Sequence, residues 1–204
     1  MKPVLILLAG YPATGKTYLL QRIQARFAHI DFGLVGPDDI KEEVWDELGF
    51  SNEKEKAVLE LEVWRRYYAR IRFCMEHRQA ILSDYPFSEK QRPTLKELVV
   101  HYGYQALTIR LVGDPERIYE RSLQRDLSPT RHAGHLLHSY RPGQVLENRA
   151  QAAGLVSREL FLERCRTKGY ERFCLGHLIE VDATDLAAID YEELLRQLGA
   201  ALTL

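Results

Sequence analysis

The sequence predicts an α/β fold with a mainly parallel sheet, and three observations predict it. Short apolar runs of strand length alternate with stretches of helical periodicity along the chain. The first of those runs leads straight into a glycine-rich turn that opens a helix, the local order of a phosphate-binding βα unit. The composition is that of a globular chain: 204 residues, 46% hydrophobic and 28% charged, with a net charge of −1. At about 150 residues per domain this length suits a single domain, 1–204, with one lid segment at about 126–143. The near-zero net charge argues against a broadly basic coat for nucleic acid. No apolar run reaches the roughly 18 residues of a membrane span. Cys74, Cys165 and Cys174 form no CxxC and no paired pattern, which points to a reducing, cytoplasmic setting.

The elements follow in order. Residues 4–9 read as a strand buried on both faces, and Gly10 bounds it. Leu19, Leu20, Ile23 and Phe27 recur at helical spacing over 16–28. Phe32-Gly33-Leu34-Val35 is a short second strand, stopped by Gly36-Pro37. Ile40, Val44, Trp45 and Leu48 make a helix that Gly49 ends. Ser51 is the expected cap of a long helix whose apolar face reads Ala57, Leu61, Trp64, Tyr68, Ile71 and Met75. Cys74 on that helix reads as core. Ala80-Ile81-Leu82-Ser83 is the third strand, ending at Asp84, and 88–101 is helical. Ala106 to Val112 is the fourth strand, and Asp114-Pro115 starts a helix with proline in its first turn. Residues 127–143 are broken by Ser128-Pro129, Gly134 and Pro142-Gly143 and read as a mobile lid. Helix returns over about 145–168. Leu178 to Val181 is the last strand and 190–201 the last helix.

Gly10-Tyr11-Pro12-Ala13-Thr14-Gly15-Lys16-Thr17 fits the pattern GxxxxGK[ST]. Glycines let backbone N–H groups wrap a phosphate, and the helix start adds positive potential. Gly10, Pro12, Ala13, Thr14, Gly15, Lys16 and Thr17 are therefore the candidate nucleotide-binding residues. Lys16 reaches the β- and γ-phosphates, and the Thr17 hydroxyl is a Mg²⁺ ligand. Asp38, just beyond the second strand, sits where open parallel sheets hold their ligand. It is either a general base for an attacking hydroxyl or a helix cap with a surface ion pair. Lys41, three residues on, shares its helix face. Asp39 is assigned to capping that helix. Asp84 holds Mg²⁺, steers Lys41 or the substrate, or is simply a turn residue at the strand end. Arg117, Arg121 and Arg125 recur every four residues, and Arg121 with Arg125 leads into the lid as candidate clamps on the transferring group. Arg131, His132 and His135 of the lid are candidate substrate contacts. The three lid histidines also have the i, i+3 spacing of zinc ligands, but Gly134 weakens the helix such a site needs. Arg65, Arg66, Arg70, Arg72 and Arg78 either line a groove for an acidic substrate or form a solvated face.

With these residues in hand, the chain resembles the P-loop kinases of the polynucleotide-kinase, zeta-toxin and chloramphenicol-phosphotransferase group, an AAA-type ATP-binding domain. In phage-type polynucleotide 5′-kinases a P-loop is followed by Asp-Asp-x-Arg, a strand ending in Asp, and two arginines four residues apart. Gly10–Thr17, Asp38-Asp39-Ile40-Lys41, Ile81-Leu82-Ser83-Asp84, and Arg121 with Arg125 match them in order. The resemblance implies a five-stranded sheet in the order 2-3-1-4-5, Asp38 as general base, Lys41 on the substrate and the second lid arginine on the nucleotide phosphates. It departs at Lys41, where the group has arginine, and in the Arg131–His138 loop. The expected activity is ATP- and Mg²⁺-dependent transfer of the γ-phosphate to a hydroxyl of a small molecule or nucleotide. A polynucleotide 5′-hydroxyl kinase and a nucleotide-binding module without transfer are the alternatives.

Overall fold

In the computed structural model, which describes residues 3–202, five strands form one parallel sheet. They are β1 (Val4–Gly10), β2 (Phe32–Leu34), β3 (Ala80–Asp84), β4 (Gln105–Val112) and β5 (His177–Asp182), in the order β2-β3-β1-β4-β5. All seven residues of β1 are buried. Its side chains alternate between two cores. Leu5, Leu7 and Ala9 meet Ile40 and Val44 of α2 (Pro37–Leu48), Val63 and Tyr67 of α3 (Glu53–Glu76), and Leu95 of α4 (Arg92–Tyr102). Val4, Ile6 and Leu8 meet Leu19 and Ile23 of α1 (Lys16–Arg26), and Leu194 and Leu198 of α7 (Tyr191–Leu202). Each fully buried Leu or Ile contributes about 1.5–3 kcal/mol, so the central strand is the most strongly held element. The remaining helices are α5 (Pro115–Leu127), which Asp114 caps, and α6 (Arg158–Thr167).

The strand order and element sequence match the expectation, and four details differ. Asn52, not Ser51, caps α3: its side chain accepts from the Lys54 and Glu55 amides at 3.0 Å each. Glu55 reaches back to the Ser51 amide at 2.8 Å, leaving Ser51 one residue outside the cap. The buried face of α3 is Val63, Tyr67, Ile71, Cys74 and Met75, while Leu61 is 73% exposed. Tyr67 takes the core position because Ser83 lies within hydrogen-bonding distance of its hydroxyl, at 3.0 Å. The segment expected to be helical from about 145 starts its helix only at Arg158, because Gly154 lies against the Leu136 carbonyl and Ser157 caps α6. The helix expected over 88–101 begins at Arg92, after a turn closed by Gln91 on Ser88.

Residues 127–143 contain one 3-10 turn, Ala133–His135, and lie against α2. Ala133 and Tyr140 are buried with Trp45 and Phe50. Phe50 and Tyr140 exchange backbone hydrogen bonds of 2.9 and 2.7 Å, which pin the end of this segment to the turn after α2.

Candidate active site

The nucleotide loop is built by backbone geometry. Gly10 ends β1 at φ 106°, and a Cβ there would lie 1.9 Å from the Leu111 carbonyl oxygen of β4, so only glycine fits. Ala13 and Gly15 also have positive φ, which curls the chain between β1 and α1. Thr14 is fully buried and donates to the Tyr11 carbonyl at 2.9 Å, which fixes the curl. The Lys16 ammonium lies inside the loop, donating to the Tyr11 carbonyl and, at 3.3 Å, to the Thr14 hydroxyl. Burial lowers its pKa to about 8, with Arg125 adding to the effect and Asp84 and Asp38 opposing it.

The parallel register that pairs Leu8 with Asp84 brings the end of β3 beside the loop. Thr17 donates to the Asp84 carboxylate at 2.8 Å. Burial raises the Asp84 pKa, against the hydrogen bond from Thr17 and the charge of Lys16. Asp39 belongs to the same corner. A Cβ on Gly36 would lie 2.5 Å from its carboxylate and 3.5 Å from that of Asp84. Desolvation and then Asp84 raise the Asp39 pKa. Asp39 is therefore not the cap that the sequence suggested. The cap position of α2 falls on Gly36 with no side-chain bond, because Pro37 begins the helix and carries Asp38 and Asp39 into its first turn. A hydroxyl facing carboxylates is an oxygen-only donor set, which fits Mg²⁺ better than zinc.

Asp38 lies across from Lys16, with Lys41 at 3.5 Å. Desolvation works to raise its pKa. Lys41, His135, Arg131 and Arg125 together outweigh that and hold the carboxyl well below the usual range. Lys41 is itself enclosed: Glu60 lies at 3.5 Å, the Tyr85 hydroxyl accepts from it at 2.9 Å, and its ammonium stands 4.7 Å from the Tyr85 ring centre. Desolvation favours its neutral form, but Tyr85, Asp38 and Glu60 prevail and raise its pKa. Arg125 is anchored by the buried Asp126 at 2.9 Å, with 37% of its side chain exposed. Arg131 lies between Asp126 at 3.7 Å and Glu42 at 3.9 Å, and its Nε has no hydrogen-bond partner. His135 is within hydrogen-bonding distance of Glu42, at 2.8 Å, and its burial lowers its pKa.

Lys16, Thr17, Asp38, Lys41, Asp84, Arg125, Arg131 and His135 thus converge. Two candidates do not join them. Arg121 donates to the Ala183, Thr184 and Ala13 carbonyls, so it ties the loop after β5 to the nucleotide loop and is not free to clamp a transferring group. His132 accepts from the Gly134 amide and lies within hydrogen-bonding distance of Asp46 on α2, so it ties residues 127–143 to that helix. The arginines of α3 also fail as a groove. Arg65 and Arg66 pair with Glu62, Arg66 also with Glu47, and Arg70 with Glu43, while Arg78 donates to the Tyr102 carbonyl. Their partners stand on α2 (Glu43 and Glu47), on the preceding turn of α3 (Glu62) and at the end of α4 (Tyr102), all outside residues 65–78. The sequence reading missed Glu42, Glu60, Tyr85 and Asp126. Tyr85 follows Asp84 directly, but nothing in the local pattern marks the other three.

Comparison with known proteins places this geometry. The family model described as Zeta toxin matches residues 1–154. No functionally curated protein matches the chain. Among solved structures, a candidate kinase of Chloroflexus aurantiacus is 23% identical, with a TM-score of 0.74 over 100% of this chain and 98% of that one. The APS kinase CysC of Mycobacterium tuberculosis, solved with AMPPNP and APS, is 13% identical, with a TM-score of 0.60 over 100% and 99%. The tunicamycin resistance protein of Deinococcus radiodurans is 14% identical, with a TM-score of 0.54 over 100% and 97%. At these identities the structural likeness is one of fold, that of P-loop kinases. With three-quarters of its length matched by the family model, this chain belongs to the Zeta toxin family.

Proposed function

We propose that the protein transfers the γ-phosphoryl group of ATP to a hydroxyl of a small molecule or nucleotide, with Mg²⁺. The observation that carries this reading is Asp38: a carboxylate opposite Lys16, held ionised by Lys41 and its neighbours. A module that only binds nucleotide has no use for a carboxylate on the acceptor side of the γ-phosphate.

The loop Gly10–Thr17 and the start of α1 hold the polyphosphate. Thr17 and Asp84, with Asp39 beside them, would hold Mg²⁺, which supplies neutralisation of the β,γ-oxygens when bound. Lys16 bridges the same oxygens. Asp38 accepts a hydrogen bond from the acceptor hydroxyl, keeps the oxygen in line with the phosphorus and receives its proton. A strongly acidic carboxyl is a weak base. That suits a loose transition state, in which the hydroxyl loses its proton late and alignment does most of the work. Arg125, oriented by Asp126, spreads the charge of the transferring group. Residues 126–143 are the proposed lid, and Arg131 and His135 on it face the acceptor and exclude water.

The polynucleotide alternative loses support from the α3 arginines, which are paired with glutamates. The test is transfer of label from γ-labelled ATP to a panel of hydroxyl compounds, wild type beside Lys16→Ala. Label in an acceptor, lost in the variant, is the expected result. Nucleotide binding with no labelled acceptor would favour the non-transferring module.

A further inference from the structure

Beyond Lys41 the cleft opens into a cavity of about 680 Å³ walled by α3, the lid and α6. Its charge is one-sided. Lys41, Lys56, Arg164 and Lys168 line it against Glu53 and Glu60. Glu60 is engaged by Lys41 and Glu53 by His138, at 3.5 and 3.9 Å. Arg164 and Lys168 have no ion-pair or side-chain hydrogen-bond partner among the described residues. Lys56 donates only to a backbone carbonyl, that of Leu137, and burial lowers its pKa. Trp45 lines the same wall, 2% exposed, and its indole N–H is buried without a partner. Cations that face one cavity without a carboxylate partner repel each other. An anion in the cavity relieves that repulsion.

Arg164 also lines a small cavity of about 90 Å³ shared with Pro12 of the nucleotide loop and Arg125. Arg164 therefore lines both the wider cavity and the one that meets the nucleotide loop. α6 begins after residue 154, where the family match ends, so Arg164 and Lys168 are supplied by a part of the chain outside the matched region, while Lys41 and Lys56 lie within it.

We infer that the acceptor is an anion, an alcohol carrying a phosphate or carboxylate group, and that Arg164, Lys168 and Lys56 hold that group while Asp38 takes the hydroxyl. The inference rests on the proposed kinase activity, and the experiment has two arms so that the two fail separately. In the first arm, inorganic phosphate is titrated by calorimetry into enzyme saturated with Mg²⁺ and AMPPNP, which leaves the nucleotide loop filled. Wild type binds phosphate; the R164A/K168A double variant, altered at two exposed side chains, binds it about 10- to 100-fold more weakly. Equal binding by the two proteins, or none by wild type, overturns the anion site and leaves the kinase reading intact. In the second arm, transfer from labelled ATP is measured to matched sets: a neutral alcohol or sugar, its phosphate ester and its carboxylic acid form. Transfer confined to charged members, with KM raised about 10-fold or more in R164A/K168A and kcat less affected, is the expected result. The preferred charged member tells phosphate from carboxylate. Equal use of the neutral members overturns the inference. Phosphate binding that depends on Arg164 and Lys168 with no transfer to any member overturns the kinase reading alone.

Discussion

In the phosphate half of the cleft, function is set by backbone. Gly10 must let β4 pass, Ala13 and Gly15 must curl the chain, and Lys16 and Thr17 then point where the first turn of α1 sends them. In the half proposed to take the acceptor, the arrangement is set by a mesh of charged side chains from α2, α3, α5 and residues 127–143: Asp38, Lys41, Glu42, Glu60, Asp126, Arg131 and His135. Backbone geometry leaves a contiguous pattern in sequence, because eight consecutive residues share one turn. A charge mesh leaves none, because its members are brought together from segments up to about ninety residues apart, such as Glu42 and His135.

The largest expected effect breaks the phosphate half. Lys16→Ala abolishes transfer while the fold persists, because the ammonium serves the loop and not either apolar core. Circular dichroism unchanged and turnover lost is the expected pair of results; unchanged turnover ends the nucleotide-loop reading. Next comes the junction of the halves. Arg125→Ala lowers kcat by about 10³-fold if the guanidinium acts on the transition state. Arg121→Ala, with its carbonyl contacts, acts on thermal stability and nucleotide affinity instead. A tenfold loss or less at Arg125 reduces it to a partner for Asp126.

Within the acceptor half, Asp38→Asn lowers transfer by about 10²-fold or more with ATP affinity little changed, the usual scale of general-base loss. Asp39→Asn sharpens the comparison. Read as a cap it is silent, since Asn caps about as well as Asp. Placed beside Asp84, it raises the Mg²⁺ concentration needed for half-maximal rate. A magnesium titration of both variants separates the two carboxylates. A rate loss confined to Asp39→Asn reverses their roles.

The strand order, the nucleotide loop and the position of Asp84 were legible because each follows from burial or a local pattern: β1 is buried end to end, and its register delivers Asp84 to Thr17. Asp38 and Lys41 were legible as a pair from helical spacing alone. Arg121 was misread because spacing shows which residues share a face, not what that face meets; here it meets three carbonyls. The arginines of α3 stayed open between groove and solvated face for the same reason, and the structure gives the paired face, since Glu43 and Glu47 stand on a different helix. The helix expected from about 145 failed because a single glycine, Gly154, is wanted for close approach to Leu136 and not for helix.

The smallest effect is a proton, and it sharpens the comparison without any mutation. Lys16 is buried in the free protein, and its pKa is lowered to about 8. Only the ammonium form attracts a polyphosphate, and the bound phosphates in turn raise its pKa. The sign follows. Below pH 8 Lys16 is already charged in the free protein, and nucleotide affinity is independent of this group. Above pH 8 the free protein loses the proton that binding must restore, so affinity falls by up to about tenfold per pH unit until the pKa of the bound form is reached. Asp38 gives no matching acid limb, because its neighbours hold its carboxyl below the range in which ordinary carboxylates titrate. Nucleotide Kd measured from pH 7 to pH 9.5 is therefore expected to be flat up to about pH 8 and to rise above it. Lys16→Arg, whose guanidinium stays charged, removes the basic limb even where it weakens binding overall. A basic limb that survives in Lys16→Arg assigns the proton to another group and takes Lys16 out of the interior of the loop.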